Sequence, residues 1–160
     1  SSKFNPNRAH IIKAHIDVTL EDIYRSIRKS FILDGQHIEF RLPETSRPGQ
    51  VIPIKLSQSQ QLHITINLIP HNTFSIKGDD LCCRIDVPIK LAITGGHMTV
   101  PTLDGSIGLK IPPSTSSHTK LRVRNTGLQL SSHERSSIIY EVRIDMKTLS
   151  EELRQSALTT

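Results

Sequence analysis

DVPIKLAITGGHMTVPTLDGSIGLKIPPSTSSHTKLRVRN, residues 86–125, reads as a strand, a turn and then a ladder of strands closed by proline and glycine. It has an echo earlier in the chain. DVTLEDI at 17–23, followed by LDGQHIEFRLPETSRPGQVIPI at 33–54, repeats the pattern at an offset of roughly 70 residues, which marks two copies of one structural unit.

Around this stretch the strands declare themselves by alternation. Leu62, Ile64, Ile66 and Leu68 alternate with His63, Thr65 and Asn67, the period-two signature of a strand with one buried and one wet face. Ile38, Phe40 and Leu42 do the same, as do Ile107, Leu109 and Ile111; Leu121 with Val123, and Tyr140 with Val142 and Ile144, complete the set. Asp34-Gly35 and Asp104-Gly105 are hairpin dipeptides, because Asp and Gly tolerate positive φ. Pro48-Gly49, Gly95-Gly96 and Pro112-Pro113 supply further breaks. Brief helical turns fit residues 19–25 and 89–94, at matching positions of the repeat. Such short strands with so little helix predict sandwich or barrel-like β units rather than a parallel sheet with crossover helices. The tail differs: Thr148 and Glu151 fit a capping box, and Leu149, Leu153 and Ala157 then share one face of a short helix that needs something to dock on.

Composition bounds the rest. Of 160 residues 36% are hydrophobic and 22% charged, a globular balance, and units of about 70 residues sit near the lower size for a self-sufficient core. No run approaches the roughly 18 to 20 apolar residues of a membrane span, and SSKFNPNRAH at 1–10 lacks a signal peptide's apolar stretch, so a soluble, cytoplasmic chain with no membrane partner is expected. A start at Ser1 fits a piece excised from something longer. Two adjacent cysteines, Cys82 and Cys83, form no zinc or disulfide pattern; in an extended segment one should pack inward and the other face out.

Chemistry is thin. The eight histidines fall into no metal-binding pattern, no nucleophile elbow or phosphate loop occurs, and Gly95-Gly96 is a turn with no helix behind it to hold a phosphate. Asp79-Asp80 reads as a turn cap. No enzyme, metal or cofactor is expected. A net charge of +5 leaves nucleic acid open as a partner: Lys110, Lys120, Arg122 and Arg124 fall on or near the wet sides of neighbouring strands as a basic strip for salt-sensitive phosphate contacts. Against that, aromatic residues are only 4% of the chain, too few for a stacking platform.

PHNTFSIKGDDL at 70–81, VPTLDG at 100–105, LKIPP at 109–113 and LRVRNTGL at 121–128 resemble the C-terminal substrate-binding region of DnaJ-type (heat-shock protein 40) co-chaperones. DVTLEDIY at 17–24 and RPGQVIPI at 47–54 are similar to the first of that family's two β-subdomains. The resemblance implies an all-β chain of two tandem sandwich-like subdomains, 8–75 and 76–147, with short helical turns and a dimerising C-terminal helix at 148–160. It implies a co-chaperone that holds non-native polypeptide for a heat-shock protein 70 partner, with DNA association, known for some zinc-free relatives, as the alternative. The family's groove, where an extended client adds main-chain hydrogen bonds, matches Ile16, Val18, Leu33 and Phe74, with Phe31 beside them. Lys29 and Phe31 match a pocket for the acidic tail of a partner chaperone, although Ile32 stands where a flanking lysine is common. No His-Pro-Asp tripeptide of a J-domain occurs, so residues 1–160 are not expected to stimulate a partner's ATPase. The short turn between Phe31 and Ile38, where zinc-bearing members insert cysteine-rich repeats, resembles the zinc-free class. Ser136-Ser137-Ile138 replaces the family's Gly-Asp-Leu before the last strand.

Overall fold

In the computed structural model, which describes residues 10–158, the chain divides into two compact units between His71 and Asn72. The first unit contains β1 (His10–Val18), α1 (Leu20–Arg25), β2 (Arg28–Leu33), β3 (Gln36–Arg41), β4 (Val51–Lys55) and β5 (Gln60–Leu68). Its three-stranded sheet has the order β1-β5-β4, and β2 pairs with β3 as a separate hairpin. The second unit contains β6 (Ser75–Lys77), β7 (Asp80–Pro88), α2 (Ile89–Thr94), β8 (Gly96–Thr102), β9 (Gly105–Ile111), β10 (Lys120–Val123), β11 (Ile138–Asp145) and α3 (Lys147–Leu158). Its larger sheet runs β10-β11-β7-β6, with β8 and β9 again a separate hairpin.

The duplication is visible in this order. β1 and β7 start at 10 and 80, the helices at 20 and 89, β2 and β8 at 28 and 96, β4 and β10 at 51 and 120. Counted from β1 and from β7, each unit runs strand, helix, hairpin, strand, strand, and its last strand lies between that starting strand and the one after the hairpin; the second unit adds β6 on the outer side of β7 and α3 at its end. The fold is all-β, but with one feature that alternation does not reveal: β1 pairs parallel with β5, and β7 parallel with β11. A two-faced strand has the same pattern whichever way its neighbour runs. Here the return path is a helical turn, a hairpin and one further strand rather than a long crossover helix.

Local chemistry explains the turns. Asp34 (φ 49°) and Gly35 (φ 76°) are the two residues between the paired Leu33 and Gln36, a left-handed pair that matches strand twist. The second hairpin is different: Thr102 pairs with Gly105, so its loop is Leu103-Asp104 and Gly105 opens the next strand. The expected Asp-Gly turn is therefore displaced by one residue there, with Leu103 buried. Gly95 ends α2 at φ 76°, and a Cβ at that position would stand 2.8 Å from the Pro113 nitrogen, so only glycine fits.

The first unit's core gathers Ile38, Leu62 and Ile64, with Ile12, Ala14, Ile16, Phe31, Leu33 and Phe40 packed on it. In the second, Leu81, Ile85, Val87, Ile111, Leu128, Ile138, Tyr140 and Val142 are buried. Both Cys82 and Cys83 are buried free thiols, against the expectation of one in and one out. Their strand, β7, lies inside the sheet and is covered on both faces where they sit, so burial pushes the Cys83 thiol up, with Cys82 adding to it. Ser136 and Ser137 are buried too and serve as anchors: Ser136 Oγ accepts from the Leu128 N–H at 2.9 Å, and Ser137 N–H donates to Asp80 Oδ1 at 2.9 Å. Asp80 thus ties β7 to the start of β11 rather than capping a turn.

The terminal helix begins one residue earlier than expected. Thr148 lies within the span of α3, and its side chain, on which the capping box rests, lies outside the described residues; the Lys147 N–H donates to Asp145 Oδ1 at 3.0 Å. Leu153 and Ala157 are exposed, and the Leu149 side chain lies outside the described residues.

Candidate functional site

Strand β1 has an apolar, half-buried side in Ile12, Ala14 and Ile16, because every second residue turns toward the core. Ala14 is the small member of that row. It pairs with Ile64 of β5, and the space above the two is bounded on its far side by Lys29, Ser30 and Phe31 of β2. The result is a groove of about 330 Å³ lined by Ala14, His15, Ile16, Lys29, Ser30, Phe31 and Ile64. Three consecutive residues from each strand form its walls, so strand backbone as well as side chain faces it. β1 is the outer strand of its sheet and β2 has only β3 as a neighbour, so among the described residues both walls are unpaired strand edges. The Phe31 ring is braced edge-on by Phe40, with centroids 6.4 Å apart and planes at 78°.

One end of the groove is fixed electrostatically. Thr19 and Asp22 form a reciprocal capping box at the start of α1: Thr19 Oγ1 accepts from the Asp22 N–H, and Asp22 Oδ2 accepts from the Thr19 N–H, each at 3.0 Å. The same Oδ2 stands 3.2 Å from Lys29 Nζ. Burial pushes the Asp22 carboxyl up, but the Thr19 N–H and the Lys29 ammonium together outweigh it and hold the group below its usual range.

The groove brings Ile16, Lys29 and Phe31 together, and Leu33 packs on the core beneath it. Val18 is fully buried and is not among the lining residues; Phe74 is buried and belongs to the second unit. Ala14, His15, Ser30 and Ile64 were not foreseen. The clue was present in Ala14, a small residue in a row of isoleucines, but only the strand pairing shows what stands over it.

Ala14 corresponds to Cys83 when the two Asp-Val pairs at 17 and 86 are matched, and the partner of Cys83 on β11 is Tyr140 where that of Ala14 is Ile64. Tyr140 is completely buried, and its Oη donates to the Pro101 carbonyl of β8 at 2.6 Å. At the position matching Ile64 its larger side chain thus reaches from β11 to the β8-β9 hairpin, and the hydroxyl ties the two together. Burial, with Cys83 adding to it, pushes its phenol up to about 12.

The basic residues are less concentrated than their spacing implied. Lys120 pairs across strands with Glu141, and Arg122 lies 3.6 Å from Asp80 Oδ2 and donates to Ser137 Oγ at 3.0 Å. Lys110 stands on the separate β8-β9 hairpin, and Arg124 follows the end of β10. Among the described residues no cluster of His, Cys, Asp and Glu could hold a metal ion, and no helix is long and apolar enough to cross a membrane.

Residues 12–147 match the family model described as DnaJ C terminal domain. Chaperone protein DnaJ 2 of Thermus thermophilus is 30% identical over 138 residues, covering 83% of this chain and 49% of that protein. Chaperone protein DnaJ 2 of Synechocystis is 30% identical over 138 residues, covering 84% of this chain and 45% of that one. Chaperone protein DnaJ of Deinococcus proteolyticus is 27% identical over 147 residues, 90% of this chain and 47% of the relative. The chain thus spans about half the length of these curated relatives.

Proposed function

Because the chain belongs to the DnaJ C-terminal domain family, we propose that its first unit holds extended, apolar segments of non-native polypeptide for delivery to a heat-shock protein 70 partner in the cytoplasm. The observation that carries this is the apolar groove between two strand edges that are unpaired among the described residues of the first unit, where the second unit has the buried Tyr140 at the position matching Ile64. An extended segment lying there can add main-chain hydrogen bonds to an edge and lower alternate side chains onto Ala14, Ile16, Phe31 and Ile64. Burying one large apolar side chain contributes roughly 1.5 to 3 kcal/mol before ordering costs, which suits weak and promiscuous holding. Ile16, Phe31 and Leu33 carry the site in this reading, with Lys29 at its charged end.

The test is fluorescence anisotropy of a labelled, extended apolar peptide with residues 1–160. Phe31→Ser and Leu33→Ser should each weaken binding by about tenfold in a protein whose circular dichroism is unchanged. Equal affinity in folded variants would remove the groove from the account. Exposed Met146 just before α3 and exposed Leu153 within it support a dimerising role for that helix, and Leu153→Asp should then convert a dimer to a monomer in sedimentation.

A further inference from the structure

Among the groove-lining residues Lys29 carries the permanent charge, and that charge already has a counter-ion. Its Nζ lies 3.2 Å from Asp22 Oδ2, with the two side chains only 26% and 21% exposed. Asp22 cannot easily swing away, because the same carboxylate closes the capping box on the Thr19 N–H. Nearby charges are similarly engaged: Glu21 Oε1 is 2.6 Å from His71 Nε2, and Arg28 is 3.6 Å from Glu39. The Asp22 carboxyl, held below its usual range, stays ionised at neutral pH.

We propose that Asp22 sets the charge preference of the groove: by holding the Lys29 ammonium, it makes the site select uncharged apolar segments over segments that carry acidic residues, against the acidic-tail role that the resemblance implies for Lys29 and Phe31. This rests on the groove reading above. An acidic segment arriving at Lys29 must compete with a carboxylate that is already positioned and partly desolvated. An uncharged segment meets no such competition. Asparagine at this position keeps an oxygen for the Thr19 N–H and removes the counter-charge.

Two fluorescein-labelled peptides with the same alternating leucine and valine core, one flanked by serines and one by glutamates, are titrated into residues 1–160 and into Asp22→Asn, Asp22→Ser, Lys29→Met and the Asp22→Asn/Lys29→Met double variant. The ratio of acidic to neutral Kd should fall about three- to fivefold in Asp22→Asn at low salt and return toward the starting value at high salt. In the Lys29→Met background the Asp22 substitution should no longer lower the ratio by that factor. Asp22→Ser, which keeps a hydroxyl acceptor for the cap, gives the same shift and stands in if the asparagine variant does not fold. An unchanged ratio in a folded Asp22 variant, or an equal shift without Lys29, overturns the assignment. If the neutral peptide fails to bind, or binds equally well to Phe31→Ser, the groove reading itself fails, and this assignment with it.

Discussion

Replacing Tyr140 by phenylalanine removes one oxygen and leaves the ring that fills the second unit. The lost bond to the Pro101 carbonyl measures 2.6 Å, and a hydrogen bond of this kind contributes about 1 kcal/mol net at neutral pH. The larger effect comes at high pH. The ordinary phenol value is 10.0, and burial moves Tyr140 to about 12. Between those values the unfolded chain releases the proton and the folded chain keeps it, so stability falls as pH rises through this window. Two units of difference correspond to about 2 to 3 kcal/mol lost by the native state. Urea unfolding followed by circular dichroism from pH 8 to 12 should show this loss in the native sequence and a shallower slope in Tyr140→Phe. Tyrosinate absorbance in a Tyr24→Phe background reads the same phenol directly. A phenol that titrates near 10 in that background, or parallel pH slopes for the two proteins, would refute the plugging role of Tyr140.

Ala14→Leu adds three carbons at the floor of the groove and should weaken apolar peptide binding by about tenfold while leaving thermal unfolding close to the native value; unchanged anisotropy titrations would show that peptides bind elsewhere. Thr19→Ala removes one half of the capping box and should cost about 1 kcal/mol in urea unfolding of the first unit. The Asp22 carboxyl has a folded value below its ordinary 3.8, so the stability it contributes is present above that pH and is lost as pH falls through the lower folded value. Acid unfolding of Asp22→Asn should therefore lack the part of the slope below about pH 4 that the native chain shows.

Much of this molecule was legible in the order of its residues. Alternation located β3, β5, β9, β10 and β11, Asp34-Gly35 the first hairpin, and the offset between the two Asp-Val segments the duplication, because each depends on the pattern of residues along the chain. The helical turn after Val18 follows from Thr19 and Asp22 three positions apart. Ile16, Phe31 and Lys29 could be named from family likeness, and the structure brings all three to one groove. The Asp104-Gly105 turn was misplaced by one residue because register is settled by which partners a backbone finds, not by dipeptide preference alone.

What tertiary structure alone decided is which copy is open. Ala14 and Cys83, Ile64 and Tyr140 are ordinary strand residues in sequence, far apart along the chain within each pair. Parallel pairing across 50 or more residues sets them against each other, and then volume decides: alanine under isoleucine leaves a groove, whereas cysteine under a tyrosine bonded to Pro101 leaves the ring buried. The pairing of Lys29 with Asp22 is of the same kind, since it needs the helix and the strand in place before either charge has a partner. Local sequence fixes periodicity and turns; long-range packing fixes where space and charge remain.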